Sequence, residues 1–308
     1  MRRTMFAVPA DLAPVLHAAS VTDTHNQRSS AFKRLAEAVG WDEARYLAAE
    51  ADLLAALAAL GQATAAELAA ALPALAEQIV TFPGKPYASR RRICTTVLGV
   101  LAAEGRVRRA RPACRFLDLR PVPLDRRHPL PELPADEART DVARRCLAAF
   151  GPATADDLKW WTGWTVTHTR KAIAATGAEA VELDEGTGYL LPEDAPPPTP
   201  DEPRAALLPG LEPTSMGRRH RAWYLDDAHT GALFDRNGDI GPTIWWDGRV
   251  IGAWAQRSAG PISHRLLTDP GSRARAAVDG EISRLRAFLG TTRVTPCYRT
   301  PVERRLVA

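Results

Sequence analysis

Leu57-Ala58-Ala59-Leu60-Gly61-Gln62-Ala63-Thr64-Ala65-Ala66-Glu67-Leu68 aligns without a gap on Leu147-Ala148-Ala149-Phe150-Gly151-Pro152-Ala153-Thr154-Ala155-Asp156-Asp157-Leu158. In both stretches an apolar helix end, a glycine stop, a threonine cap and an acid–leucine anchor follow in the same order. The Thr64 and Glu67 pair has the spacing of a capping box, in which side chain and backbone satisfy each other's orphan donors. A run of alanines alone would not reproduce the glycine, threonine and acid positions, so the two stretches read as copies of one helical unit.

Upstream of the first copy, Tyr46, Leu47, Leu53, Leu54, Leu57 and Leu60 recur at helical spacing, which predicts a helix over 43–60 stopped by Gly61. A second helix runs from Thr64 to near Pro73. Ser89 is read as the cap of a third, reaching Glu104 and ended by Gly105. A basic strand at Arg106–Arg109 follows, with Phe116–Leu119 as its expected partner. After the second copy come a helix over Thr165–Ala175, a stop at Gly177, and a hairpin of Ala180–Leu183 and Gly188–Leu191 turning at Asp184–Gly186. Helix, helix, helix, hairpin is the winged helix-turn-helix layout.

Further out, Pro121–Pro134 and Pro192–Pro203 read as proline-rich linkers. Beyond them Ala205–Leu208 reads as a strand. Thr243–Trp246 and Arg249–Trp254 flank Asp247-Gly248, a strong type I′ hairpin signal. A helix at about Arg273–Leu289 and a strand near Arg293–Thr295 complete the C-terminal part. Residues 10–40 read as helical with a polar break at Thr22–Ser30, and Thr4–Val8 as a short strand with nothing before it to pair with. The expected fold class is α+β: tandem winged helix-turn-helix units followed by a C-terminal β-barrel-like α+β domain. The divisions are 1–42 (remnant of a first winged unit plus connecting helices), 43–120 and 135–192 (winged units), 121–134 and 193–203 (linkers), and 204–308 (the β-rich domain).

The 308 residues carry a formal charge of +4 and a pI near 9.0, which permits a nucleic-acid partner without demanding one. Only Lys33, Lys85, Lys159 and Lys171 among the 40 basic residues are lysine. Arginine and alanine abundance reads first as the mark of a GC-rich genome. Cys94, Cys114, Cys146 and Cys297 contain no C-x-x-C pair and no histidine at metal spacing, so no zinc site, disulfide framework or cofactor is expected. The apolar run after Met1 is cut short by Pro9 and Asp11, and Leu47–Leu60 carries Glu50 and Asp52. No membrane partner is expected, and the location is read as cytoplasmic.

Several stretches resemble one family: Met1–Pro9, the repeated winged units, Trp160-Trp161-Thr162-Gly163-Trp164, Leu207-Leu208-Pro209 through Glu212-Pro213-Thr214, Phe234–Gly238, and Trp245–Gly252. The sequence is similar to the winged helix DNA-binding domain proteins that include the AlkZ and YcaQ DNA glycosylases. The resemblance covers nearly the whole chain. It implies three tandem winged units and a β-barrel-like domain forming a basic cradle for duplex DNA, with excision of alkylated bases or unhooking of interstrand crosslinks. It also implies a catalytic Gln-x-Gln motif upstream of the segment matching Met1–Pro9. Here the glutamines are Gln27, Gln62, Gln78 and Gln256, no two of them two apart. The expectation is that the chain begins where the family finishes its first winged unit, which would explain the unpaired strand at Thr4–Val8, and that no catalytic residue is present.

In a winged helix the third helix enters the major groove and the wing meets the backbone. In the first copy Ile93, Val97, Leu98 and Leu101 form the inward stripe. That leaves Arg90, Arg91, Arg92 and Thr95 as helix contacts, and Arg106, Arg108 and Arg109 as wing contacts. Arginines in a helix's first turn oppose its dipole by about 0.3–1 kcal/mol each unless an anion neutralises them. In the second copy Val166 and Ile173 are expected inward, placing His168 and Lys171 outward, Thr165 and Thr167 to the side, and Arg170 near the inward edge. Each of these is equally a solvated polar residue. Trp160, Trp161 and Trp164 read as core packing or as base-stacking platforms; Trp246 and Trp254 read as sharing a core face. Asp226, Asp227 and Asp235 are unpaired candidate carboxylates, and Asp235–Asp239 a turn that superficially resembles a calcium loop. The partner expected is duplex DNA bound by a monomer. A non-enzymatic binder such as a transcription regulator is the competing reading, and an interaction module the third.

Overall fold

Residues 8–84, 88–109, 121–123, 133–194, 202–294, 296 and 298–308 are described by the structure, a computed structural model. They divide into two units that meet between Arg144 and Arg145. Helices and sheets mix in separate regions of the chain, so the fold class is α+β.

In the first unit α1 (Ala13–Ala19) and α2 (Val21–Val39) precede α3 (Glu43–Leu60) and α4 (Ala65–Ala71). The expected break at Thr22–Ser30 does not exist, since α2 runs through it. Its polar residues belong to the helix because Arg28 turns inward onto two carboxylates. Arg28 Nη2 donates to Glu50 Oε2 at 3.0 Å and to Glu104 Oε2 at 2.8 Å, and Arg106 Nη1 reaches the same Glu50 oxygen at 2.9 Å. Glu50 is buried on α3, and its Oε1 lies 2.9 Å from Arg28 Nη2 but outside hydrogen-bonding geometry. The Glu104 and Glu50 carboxylates hold the Arg28 guanidinium more firmly protonated than usual. Beneath it lies the Tyr46 ring, whose hydroxyl burial and the nearby Glu50 charge drive above its ordinary pKa. A polar cluster thus ties α2 and α3 to Glu104 and Arg106, beside a core of Leu35, Leu53, Leu57 and Leu101.

The third helix of this unit differs from expectation. Gln78–Thr81 (β1) pairs antiparallel with Ser89–Arg92 (β2), Gln78 opposite Arg92 and Thr81 opposite Ser89. Only then does α5 (Ile93–Ala103) begin, capped by Arg92 in extended conformation (φ −67, ψ 145) rather than by Ser89. Ile93 N–H bonds the Glu77 carbonyl at 2.9 Å, which anchors the strand end at the helix start. Arg90, Arg91 and Arg92 are therefore strand residues, and their expected conflict with a helix dipole does not arise. Val107–Arg109 (β3) forms the basic strand as expected. Its partner is Pro121–Pro123 (β4), so the first linker begins with a paired strand. Phe116–Leu119, Thr4–Ala7, Cys114 and Cys297 lie outside the described residues.

α6 (Ala135–Phe150) begins in the first unit and ends in the second, where it is followed by β5 (Ala153–Thr154), α7 (Ala155–Thr162), α8 (Val166–Thr176), β6 (Glu179–Leu183) and β7 (Gly186–Leu190). β5, β7 and β6 form a small sheet in that order. Both copies of the repeat make the capping box. Thr64 Oγ1 accepts from Glu67 N–H at 3.1 Å and Thr154 Oγ1 from Asp157 N–H at 3.0 Å, and each acid bonds back to its threonine's N–H. The glycines serve different ends. Gly61 holds a positive φ of 71°, whereas a Cβ on Gly151 would lie 2.4 Å from the Leu147 carbonyl oxygen.

Residues 205–308 form an open sheet, not a barrel. Ala205–Leu208 (β8), Thr243–Trp246 (β9), Arg249–Gln256 (β10) and Ile262–Leu266 (β11) lie in the order β11-β10-β9-β8, and β8 and β11 do not pair to close it. Asp247 and Gly248 both take positive φ, as a type I′ turn requires. Helices α9 (Pro213–Gly217) and α10 (Asp227–Leu233) precede β9; α11 (Gly271–Leu289) and α12 (Pro301–Val307) follow β11. One sheet face packs Trp245 and Val250 with Tyr224, Leu233 and Val302; the other packs Ile244, Ile251, Trp246 and Trp254 with Val278 and Ile282 of α11. Burial of both faces leaves no need for closure. The expected strand near Arg293 is absent: Val294 N–H instead bonds Gln256 Oε1, and residue 295 is outside the description. A capping box of Thr300 and Glu303 starts α12.

No single helix among the described residues is long and apolar enough to cross a membrane, and the bent pair α3–α4, at 109°, packs in the first core. Replacing Glu50 by glutamine removes the anion on which two guanidiniums converge. Breaking a buried pair costs about 3–5 kcal/mol, and the partial exposure of both arginines lowers the expected loss to about 2–3 kcal/mol. Chemical denaturation of Glu50→Gln against the unsubstituted chain checks this; an unchanged midpoint would show the cluster to be energetically idle.

Candidate nucleic-acid interface

Of the residues proposed for the first copy, the structure groups Arg90, Arg91 and Arg92 on one exposed strand. Antiparallel partners share a sheet face. Arg90 and Arg92 therefore lie with Val80 and Gln78, and Arg91 lies with Ile79 on the opposite face. None of the three guanidiniums is within ion-pair distance of a carboxylate among the described residues. Thr95 is exposed on α5, whose remaining surface is apolar or small. Arg108 is exposed on β3, and the Arg109 side chain is outside the described residues. Arg106 is exposed, and its Nη1 lies 2.9 Å from Glu50 and 3.7 Å from Glu104, because the buried Glu50 carboxylate demands a counter-charge.

In the second copy the register of α8 is shifted from expectation. Thr169, Ala172, Ile173 and Thr176 are buried, while Val166 is 44% exposed. Threonine can occupy the inward stripe because its hydroxyl bonds the helix itself: Thr169 donates to the Thr165 carbonyl at 2.9 Å and Thr176 to the Ile173 carbonyl at 2.7 Å. The outward face consequently carries Thr167, Arg170 and Lys171, with His168 half-buried. Arg170 moves from the inward edge to the exposed side. Thr165 caps the helix, accepting from His168 N–H at 3.2 Å. The hairpin beyond it carries Glu179, Glu182, Asp184 and Glu185, a charge that repels phosphate.

A second basic group was not singled out from the sequence, although its signal was there: Arg218-Arg219-His220-Arg221, directly after the Glu212–Thr214 motif. Asp157 explains its shape. Buried on α7, Asp157 accepts through Oδ2 from Thr154 N–H and Oγ1, and through Oδ1 from Arg219 N–H at 2.6 Å and His220 N–H at 3.4 Å. Arg218 Nη1 stands 3.5 Å from Oδ2 and donates to the Pro152 carbonyl at 2.8 Å, while Nη2 donates to the Phe150 carbonyl. Trp160 lies under two guanidiniums, Arg219 at 5.3 Å and Arg221 at 5.7 Å from its ring centre, and its Nε1–H donates to the Met216 carbonyl at 3.2 Å. Trp164 is core, as one of the two readings had it. A small cavity beside Asp157 is lined by Cys146, Trp161 and Arg218.

Two of the acidic candidates are spent on backbone. Asp226 caps α10 through Ala228 N–H, and Asp235 accepts from Asn237 N–H and Asp239 N–H as a turn. No group of three or more histidine, cysteine, aspartate or glutamate side chains among the described residues is placed to hold a metal ion.

Comparison with known proteins bears on this arrangement. The family model described as DNA glycosylase AlkZ-like matches residues 1–288. An interstrand DNA cross-link repair glycosylase of Streptomyces sahachiroi is 32% identical over 127 residues, 39% of this chain and 34% of that protein. The match thus spans about a third of the curated relative's length. The solved structure of the Streptomyces sahachiroi DNA glycosylase AlkZ is similar with a TM-score of 0.64 at 20% identity, covering 89% of this chain and 75% of that one. At that identity the likeness is one of fold.

Burial pushes the Cys146 thiol up to about 11, with Arg218 opposing and Asp157 adding to the shift. A thiol held neutral in the fold but not in the unfolded chain makes stability fall as pH rises from 9 toward 11, because the unfolded state loses its proton first. Cys146 should therefore resist alkylation at pH 8 until denaturant is added, read by mass spectrometry of its peptide. Rapid labelling under native conditions would contradict the burial.

Proposed function

This chain belongs to the AlkZ-like DNA glycosylase family, and from that premise we propose that it binds duplex DNA as a monomer through two winged-helix units and serves repair of alkylated or cross-linked DNA. The observation that carries the reading is the exposed strand Arg90-Arg91-Arg92, three consecutive arginines with no carboxylate partner among the described residues. Like charges held together without counter-charge are costly in isolation and favourable against a polyanion. The outward face of α8 supplies Thr167, Arg170 and Lys171, with Thr165 and His168 at its start. Thr95 and Arg108 extend the first unit's contacts. The acidic β6–β7 hairpin is assigned no phosphate contact.

No glutamine here lies two residues from another, so the motif that the family resemblance attaches to base excision has no counterpart in these 308 residues. That observation favours damage-site binding over excision by these 308 residues. It also keeps the non-enzymatic binder in view.

Binding of a labelled duplex, followed by fluorescence anisotropy across a salt series, tests the proposal. The logarithm of affinity should fall with the logarithm of salt by roughly 0.9 per phosphate neutralised. Substituting Arg90, Arg91 and Arg92 together by alanine should lower that slope by about 2–3. A salt-independent signal, or no binding, overturns the reading. Release of base from alkylated duplex by this chain would overturn the binding-only assignment.

A further inference from the structure

We propose that the segment Arg218–Arg221 is a second phosphodiester-binding element, in which Arg219 contacts the DNA backbone and Asp157 is its positioning residue. The inference rests on the DNA reading above but on a different set of residues. Within four positions the chain places three guanidiniums and an imidazole, and the nearest carboxylate is the buried Asp157. The two inner arginines are already used. Arg218 bonds the Phe150 and Pro152 carbonyls, and Arg221 donates through Nε to the Ser215 carbonyl at 2.9 Å between the Trp160 and Phe234 rings.

Arg219 is different. It is exposed, its guanidinium lies over the Trp160 indole, and none of its five side-chain N–H donors has an acceptor among the described residues. Its backbone is the most tightly held part of the segment, through the 2.6 Å bond to Asp157 Oδ1. A guanidinium fixed at both its backbone and its planar face loses little freedom on binding, and its fork matches two phosphate oxygens. Asp157 accepts through both oxygens, so the segment cannot turn away without stranding a buried carboxylate. Stacking on the indole also keeps the charge on the surface rather than folded onto a neighbouring acid.

The test uses the full chain and a short labelled duplex, with circular dichroism and thermal melting to confirm folding. Arg219→Ala should weaken binding about tenfold at low salt and lower the salt slope by about 1, uniformly across duplex sequences. Arg219→Lys should keep the slope while losing part of the affinity, because a point charge replaces the fork. Asp157→Asn, if folded, should lower both affinity and slope. Wild-type affinity and slope in Arg219→Ala would overturn the phosphate contact and leave the proposed function standing. A folded Asp157→Asn that binds like wild type would overturn the positioning role. Failure of the unsubstituted chain to bind any duplex would overturn both readings together.

Discussion

The Asp157 carboxylate is the contact on which the second unit is organised. Ordinarily an acid at the third position of a helix satisfies one orphan donor of its own cap. Here it does so for Thr154 and also accepts two backbone N–H groups from a segment that leads into the sheet-bearing half. Its desolvation is balanced by hydrogen bonds to both oxygens and by the Arg218 guanidinium. The helix pair α7–α8 and the sheet of β8–β11 are thereby joined through a polar connection, with Trp160 and Met216 adding a second bond across it.

The first unit solves a related problem with different residues. Glu50 lies inside an otherwise apolar helix stripe and is reached by Arg28 from α2 and Arg106 from the turn after α5. The two capping boxes are alike locally, yet Glu67 sits on the surface while Asp157 is buried. The helix start is thus the same in both units, while the buried charge that organises each sits at a different position. Membership of the AlkZ-like family gives this arrangement a setting.

Much of the helical layout was legible because caps and glycine stops are local signals. Thr64, Thr154, Gly61 and Gly177 each mark an element boundary within a few residues. The misreadings share a physical cause: contacts distant in sequence. Ser89 has the chemistry of a cap, but pairing with Gln78–Thr81 draws 89–92 into a strand. α2 looked interrupted because Arg28 counts as polar, when its partners lie on α3 and at Glu104. Val166 looked inward because it is apolar, but Thr169 and Thr176 fill that stripe, since hydropathy does not record that a hydroxyl can bond its own helix. The open sheet was mistaken for a barrel since nothing local reports whether end strands meet. At the site, the arginines of β2 were identified and their conformation was not. Arg219 went unnoticed because its distinction lies in being held, which only Asp157 and Trp160 reveal.

The same carboxylate imposes an order on assembly. Its bond to Thr154 closes a loop of three residues, and its bond to Arg219 one of 62. Closure entropy grows with loop length, so the short contact forms during local helix nucleation and the long one only when distant chain arrives. By then the carboxylate is already oriented by its cap, with Oδ1 left open as an acceptor. The cap of α7 therefore acts as a template made early and read late, and the C-terminal half docks onto a receptor that the helix built for its own start.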